Sequence, residues 1–260
     1  MNIVVCIKQV PSSNEVRLDP EKHTIIRDGR QSVINPFDVH GVEAAVQIKE
    51  KLGGRISCIS MGIPATERLL RDAIAMGADD AYLLTDRAFA GADTWATAYA
   101  LSCGLKKMPS APDLIICGKM AVDGDTAQIG PELASQLGIP FLCDVFEIIE
   151  AAEDHLICRY DTDEGSAVAR IELPGLITVT RELNQPRFPS IAGIRASQTA
   201  PFRSWGWEDV GAQLELLGLK GSPTRVVRSY APEKLSQAEE IKGSIQDQAA
   251  AILKLAKEAK

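Results

Sequence analysis

The sequence predicts an α/β protein built on a doubly wound, mostly parallel sheet, with a β-hairpin extension and a C-terminal arm that ends in a helix. Two observations carry this expectation. Up to about residue 145, short β-branched runs alternate with longer helical patterns, and the short runs are apolar without a break. An unbroken apolar run suits a strand covered on both faces, as in a parallel sheet between helical layers. Strict strand-helix alternation is the chain order of a doubly wound fold.

The first strand is IVVCI at 3–7, and a helical pattern from Val39 to Leu52 follows it. The unit then repeats as ISCISM (56–61) with a helix from Ala65 to Met76, AYLL (81–84) with a helix from Thr94 to Lys107, and LIIC (114–117) with a helix from Thr126 to Leu137. Beyond Pro140, HLICRYD (155–161), AVARIEL (167–173) and GLITVTREL (175–183) read as further strands of the same sheet, with DTDEG (161–165) as a hairpin turn. From Asn184 to about Pro232 the chain is rich in Pro, Gly, Ser and Arg, and regular structure is expected only near 208–217. A long irregular segment of this kind is usually a functional loop or an arm. Past Pro232, Ile241, Ile245, Ala249, Ile252 and Leu255 fall at near-helical spacing among Glu, Lys and Gln. That stripe needs a covering surface, on its own domain or on another chain. The expected parts are therefore an α/β domain at 1–183, a loop and extended arm at 184–232, and a C-terminal helix at 233–260.

Composition removes several function classes. With 28 Lys and Arg against 35 Asp and Glu, the chain has no electrostatic footprint for nucleic acid or an anionic membrane surface. No run approaches the roughly 20 apolar residues of a membrane span. The start MNIVVCIKQVPSSNE lacks the basic region and apolar core of a leader, so no membrane insertion and a cytoplasmic protein are expected. The six cysteines are scattered with no Cys-x-x-Cys pair, which predicts buried thiols rather than disulfides or a zinc site.

The chemistry-bearing stretch is CGKMAVDGDTAQIGPELA at 117–134, just past a strand's carboxyl end at a helix start, where open α/β sheets bind ligands. A metal reading would use Asp123 and Asp125, but the further oxygen ligands and the twelfth-position Glu of an EF-hand loop are missing. A phosphate reading fits better: backbone N–H groups at glycine-containing turns approach the anion, and Asp125 or Thr126 caps the helix. Thr126 and Gln128 are then donors to phosphate oxygens, while Asp123 takes a ribose hydroxyl or holds the turn. INPFDVHGVEAA (34–45) repeats the architecture, with Asn35-Pro36 bending the chain, Asp38 preceding a helix expected from Val39, and Asn35 within reach of an adenine or ribose edge. DRAFAGADTWATA (86–98) is a third such loop, where Ala90, Gly91 and Ala92 allow close backbone approach and Asp93 or Thr94 caps. Three small-residue loops feeding helices point to a nucleotide, although neither GxGxxG nor a P-loop is present. The three histidines, His23, His40 and His155, form no metal-ligand spacing, and no Gly-x-Ser-x-Gly elbow occurs. The chain is expected to bind a cofactor that carries the chemistry.

Taken together, VVCIKQVPS, NPFD, SMG (60–62), AMGAD (75–79), CGKMAVDGDTAQIGPELA and NQPRFPSIAGI (184–194) resemble, in order and over nearly the whole chain, the β subunit of electron-transfer flavoproteins. The resemblance implies a heterodimer with an α subunit and a pocket for AMP or, in the electron-bifurcating branch, a second FAD. It assigns to that pocket Cys6, Asn35, Pro36, Phe37, Asp38 and Met61, together with Lys119, Met120, Ala121, Val122, Asp123, Gly124, Asp125, Thr126, Ala127, Gln128, Ile129 and Gly130. DRAFAGADTWATA resembles the bifurcating branch, which adds Ala90, Gly91, Ala92, Asp93, Thr94 and Thr97 near flavin and NAD(H), and implies FAD rather than AMP.

The implied activity is transfer of a hydride from NADH to the β-bound flavin, whose electrons then leave singly, or the reverse. One electron goes through the α-subunit FAD to an acyl-CoA dehydrogenase-like or related flavoprotein, and the other to ferredoxin or flavodoxin. No side chain of the chain is implied as an acid or base. NQPRFPSIAGI resembles the family's recognition loop, with Ile191 as the apolar anchor on the partner dehydrogenase. A stand-alone nucleotide-binding module is the rival from another class, and the C-terminal stripe and long arm argue against it.

Overall fold

The computed structural model describes residues 1–12, 32–227 and 240–258. The chain divides into two units, Met1–Val227 and Arg228–Lys260.

In the first unit, β1 (Asn2–Cys6) leads to a small antiparallel pair, β2 (Gln9–Pro11) and β3 (Ser32–Ile34), and then to α1 (Pro36–Leu52). The repeating units follow as β4 (Arg55–Met61), α2 (Glu67–Met76), β5 (Asp80–Leu84), α3 (Thr94–Lys107), β6 (Leu114–Gly118) and α4 (Ile129–Leu137). The chain continues through β7 (Phe141–Ala151), β8 (His155–Thr162), β9 (Gly165–Glu172), β10 (Gly175–Val179), α5 (Ile191–Thr199), β11 (Phe202–Trp205) and the single turn α6 (Gly218–Gly221). Nine strands form one sheet in the order β11-β5-β4-β1-β6-β10-β7-β8-β9. It is parallel from β11 to β7 and antiparallel through β7, β8 and β9, so the doubly wound, mostly parallel architecture with a hairpin extension is present.

Side-chain alternation explains why the strands read as solid apolar runs. Ile3 and Val5 face the layer of α1 and α2, whereas Val4 and Cys6 face that of α3 and α4. Both faces are covered, so both sets of side chains are apolar. Each fully buried Ile or Leu contributes roughly 1.5–3 kcal/mol through burial, and Ile3, Ile56, Ile59, Leu114, Ile115 and Ile116 form the sheet's dry centre.

The chain departs from the expected elements in several places. Helix α1 begins at Pro36 rather than Val39, with proline in the first turn, where its missing N–H costs nothing. Helix α4 begins at Ile129, so neither Asp125 nor Thr126 caps it; Gln128 is the capping residue and makes no side-chain cap bond. Strand β7 was not anticipated, because Asp144, Glu147 and Glu150 interrupt its apolar pattern and its pairing with β8 shifts register. The 175–183 run is strand only to Val179. The segment after Asn184 is more regular than its composition suggests: Ser190 caps α5 through the Gly193 amide at 2.9 Å, α5 packs on α2, and β11 joins the sheet edge beside β5.

The second unit shows helix α7 (Ile245–Glu258). Ser244 and Asp247 cap it reciprocally: the Ser244 hydroxyl donates to Asp247 Oδ2 at 2.6 Å, and the Asp247 amide donates to Ser244 Oγ at 3.3 Å. Ile245, Ile252 and Leu255 on this helix are exposed. The remainder of the 233–260 expectation, up to residue 239 and at 259–260, lies outside the described residues.

Candidate functional site

The strand order reverses between β1 and β6: the chain leaves β1 for β4 and β5 on one side, while β6 and β10 lie on the other. Ligands of open α/β sheets bind in the crevice at the carboxyl ends beside such a switch point. Cys6 ends β1 and Cys117 is the penultimate residue of β6, and their thiols hydrogen-bond one another. That bond and burial push the Cys117 thiol well up, so Cys117 stays a neutral thiol.

Asn35 and Asp38 build the near wall by holding other segments in place. Asp38 Oδ2 accepts from the Lys8 amide at 2.7 Å, and its Oδ1 accepts from Asn35 Nδ2 at 2.9 Å and the Gly118 amide at 3.2 Å. Asn35 Nδ2 also donates to the Met120 carbonyl at 2.9 Å, and Asn35 Oδ1 accepts from the Val122 amide at 3.2 Å. The Asn35 amide, placed on a base or ribose edge from sequence, is thus fully engaged in pinning the loop that follows β6. Gly118 is required by this approach, since a Cβ there would lie 2.3 Å from Asp38 Oδ1 and 2.7 Å from Phe37 Cβ. Burial raises the Asp38 carboxyl to about 7 against the pull of its donors. Phe37 is buried and carries the Arg181 guanidinium 4.6 Å over its ring, and Pro36 is the half-buried helix start.

The loop itself follows. Lys119 forms an ion pair with Asp144 at 3.0 Å, and Asp123 one with Lys8 at 2.6 Å. Asp123 therefore holds the turn, with Lys8 as the partner that sequence reasoning missed. Met120, Ala121 and Val122 are half-buried, and the amides of Gly124 and Asp125 both donate to the Ala121 carbonyl, at 3.1 and 2.8 Å. From Asp123 to Gln128 every residue is exposed. Asp125 (φ 48°) and Ala127 (φ 54°) lie in the left-handed region, which costs a non-glycine residue roughly 1–2 kcal/mol. Alternating left- and right-handed residues aim successive N–H groups toward one side and form an anion-binding concavity. Among the described residues, the amides of Thr126, Ala127, Gln128, Ile129 and Gly130 find no protein acceptor, and they run into the N-terminus of α4. This donor set fits a phosphate or pyrophosphate group. Ile129 is half-buried, and Gly130 is buried against Thr178.

The third loop meets the second. Thr94 Oγ1 donates to Glu132 Oε1 at 3.0 Å and lies 3.4 Å from Gln128 Oε1, joining the N-termini of α3 and α4. Asp93, as expected, caps α3, accepting from the Ala96 amide at 3.0 Å, and the Thr97 amide donates to its carbonyl at 3.0 Å. Burial pushes the Glu132 carboxyl up.

Ala90 and Gly91 are exposed and Ala92 is half-buried, but the small residues here receive the chain's own 214–224 segment. Gly91 has φ 75°, and a Cβ on it would lie 2.6 Å from Leu219 Cγ. The Asp93 amide donates to Ser222 Oγ at 2.8 Å. Ser222, Thr224 and Glu132 carried no sequence signal because their partners are distant along the chain. Met61 stands half-buried at the carboxyl end of β4, with no hydrogen bond to these loops.

Away from the crevice, Arg187 binds Glu43 through Nε at 2.9 Å and Nη2 at 3.0 Å, and Glu50 through Nη1 at 2.6 Å. This clamps the 184–190 segment onto α1 and leaves Phe188 and Ile191 exposed at 94% and 74%.

A doubly wound sheet whose switch point carries an anion-binding loop defines an α/β nucleotide-binding protein. The electron transfer flavoprotein domain matches residues 22–209. Among curated relatives, the electron transfer flavoprotein subunit beta of Thermoanaerobacterium thermosaccharolyticum is 47% identical over 95% of this chain and 94% of its own length. Subunit CarD of the caffeyl-CoA reductase-Etf complex of Acetobacterium woodii is 43% identical over 97% and 96%, and protein FixA of Bradyrhizobium diazoefficiens 38% identical over 97% and 90%. The chain belongs to the electron transfer flavoprotein family, as the β subunit of the heterodimer. Members bind flavin or AMP and pair with an α subunit and redox partners. Among the described residues no helix is long and apolar enough to cross a membrane.

Proposed function

We propose that this β subunit binds FAD in the crevice and works in NAD(H)-linked electron bifurcation or its reverse. The observation that carries the reading is the Thr94 bridge from α3 to Gln128 and Glu132 of the α4 turn. It sets a second helix N-terminus beside the free amides of Thr126 to Gly130 and so extends the cradle beyond what the single phosphate of AMP needs. FAD supplies hydride acceptance from NADH and delivery of single electrons. The chain's residues would bind and orient it: the 126–130 amides would hold the pyrophosphate, Asn35 and Asp38 fix the loop, and Cys6 and the neutral Cys117 thiol would line the floor.

On this reading the partners that would receive the electrons are the α subunit with its FAD, an acyl-CoA dehydrogenase-like or related flavoprotein docking at Ile191, and ferredoxin or flavodoxin. The relative named for a caffeyl-CoA reductase-Etf complex supports a partner that acts on a CoA thioester. The test is to denature the purified heterodimer and quantify the released nucleotides. Two FAD per heterodimer without AMP is expected; one FAD with stoichiometric AMP would overturn the assignment in favour of a structural AMP.

A further inference from the structure

The crevice at the switch point has two lips. The loop after β6 forms one, with the free amides of Thr126 to Gly130. Lys8, two residues past the end of β1, stands on the other. Its backbone is fixed on both sides: the amide donates to Asp38 Oδ2 at 2.7 Å, and the carbonyl accepts from the Asn35 amide at 2.9 Å. Asn35 and Asp38 also hold Gly118, Met120 and Val122 of the opposite lip. The lysine and the amide cradle are therefore set in one frame.

The Lys8 ammonium spans the gap between the lips. It lies 2.6 Å from Asp123 Oδ1, and a Cβ built on Gly124 would meet it at 4.0 Å, immediately before the left-handed Asp125. An ammonium carries three N–H donors, Asp123 takes one, and among the described residues Nζ has no second partner. The Lys8 side chain is 47% exposed, and an ion pair this open to water is weak, so the ammonium is free to be shared. The same stretch sets two acids, Asp123 and Asp125, beside the amides that would receive an anion. Lys119, the loop's own lysine, is drawn off to Asp144 of β7. Among the described residues, the ion pair with Lys8 is the only one made by either acid.

We infer that Lys8 is a phosphate-binding residue of the nucleotide site, its ammonium shared between Asp123 and the anion held by the 126–130 amides. A charge-assisted donor from β1 then completes a cradle whose other donors are neutral amides, and it offsets the acids beside them. A compact charge on a flexible stem suits the task, and Asp123 keeps that stem from swinging into solvent. The inference rests on the crevice being the nucleotide site. It is indifferent to whether FAD or AMP fills it, because both carry phosphate.

The test is calorimetric titration of the nucleotide-stripped heterodimer with FAD, AMP and adenosine at low and high salt. Lys8→Gln is expected to weaken the phosphate nucleotide that the wild type takes at least fivefold at low salt. At about 0.5 M salt, where screening confines charge to a few ångströms, the gap should narrow. Adenosine, which has no phosphate, is expected to bind both proteins alike, and Lys8→Arg should recover most of the lost affinity. Asp123→Asn is expected to bind the phosphate nucleotide at least as tightly as the wild type, since the repelling acid goes and the ammonium stays. A pair that only held the turn would lose affinity in both variants. The inference is overturned if Lys8→Gln keeps wild-type affinity, if adenosine weakens by the same factor as the phosphate nucleotide, or if Asp123→Asn weakens binding as much as Lys8→Gln. A wild type that takes AMP and not FAD overturns the FAD reading alone and leaves the comparison of variants in force; one that takes neither overturns the nucleotide site and the role of Lys8 with it.

Discussion

Asp93 Oδ2 accepts both the amide and the hydroxyl of Thr224, at 2.9 and 2.8 Å, while its Oδ1 caps helix α3. One carboxylate thereby ties the third loop of the candidate pocket to the segment leading toward the C-terminal unit. Burial raises this carboxyl, but the Ala96, Thr224 and Ser222 donors outweigh it and the net shift is downward. Its contribution is therefore present above the ordinary carboxylate range and fades as pH falls through the lowered folded value. Asp93→Ala is expected to lose about 1 kcal/mol from the cap alone, and Thr224→Val less, since that pair is exposed. Both variants should retain less nucleotide through gel filtration than the wild type. Denaturant titration and absorbance of the released nucleotide check the two effects.

Asp38 gives the opposite pH signature. Its folded value, raised by burial to about 7, lies above the unfolded one, so the native state holds the proton more tightly than the unfolded chain. Stability is fully present below the unfolded value of about 3.9 and is lost as pH rises through about 7, at most about 1.4 kcal/mol per pH unit. Asp38→Asn removes this titration. It also leaves one of the Lys8 and Gly118 amides poorly accepted, a penalty that does not depend on pH. The wild-type stability minus that of Asp38→Asn is thus expected to shrink steadily between about pH 4 and pH 7 in urea titrations. A difference that is flat with pH would contradict the raised value.

The architecture was legible because periodicity is local: Thr94–Lys107 and the strand at 114–117 need only their own apolar spacing. The loops were legible as turns feeding helix starts for the same reason, small residues placed before helices. The division of labour within them was not. Asn35 looked available for a ligand because its partners, Met120 and Val122, lie 85 and 87 residues away. Gly91 looked like a place for close ligand approach, and Leu219 fills that space instead. Helix α5 was hidden because its one buried residue is Ser197, and its packing on α2 replaces the missing apolar stripe.

Arg187 is the hinge pin of the exposed Phe188 and Ile191 surface. Glu43 is only 3% exposed and accepts the guanidinium twice as well as the Arg187 amide, and these bonds hold its carboxyl below the usual range despite burial. Removing one partner of a buried pair leaves an uncompensated charge and typically costs about 3–5 kcal/mol; the half-exposed Arg187 side reduces this to about half here. Arg187→Ala is expected to lower stability and to weaken docking of the proposed flavoprotein partner, because the 184–190 segment loses its anchor on α1. Ile191→Asp should abolish docking while leaving stability and nucleotide content unchanged. Surface plasmon resonance with the partner and thermal melts separate the two variants.

The glycine at the tip of the acidic loop offers the sharpest test of the crevice. A Cβ on Gly124 would meet only Lys8 Nζ, at 4.0 Å, so the protein itself has room for a side chain there. Gly124→Val is therefore expected to leave the unfolding transition of nucleotide-stripped protein nearly unchanged. The added methyl groups would stand beside the Asp125 to Gln128 turn, which has left-handed residues at 125 and 127 and is the proposed anion cradle. Cofactor recovered with the purified heterodimer should fall several-fold, and the loss should be visible as a lower melting temperature only when nucleotide is present, since a ligand stabilises in proportion to its occupancy of the native state. Full occupancy in this variant would remove the loop from the pocket and, with it, the pyrophosphate assignment of the 126–130 amides.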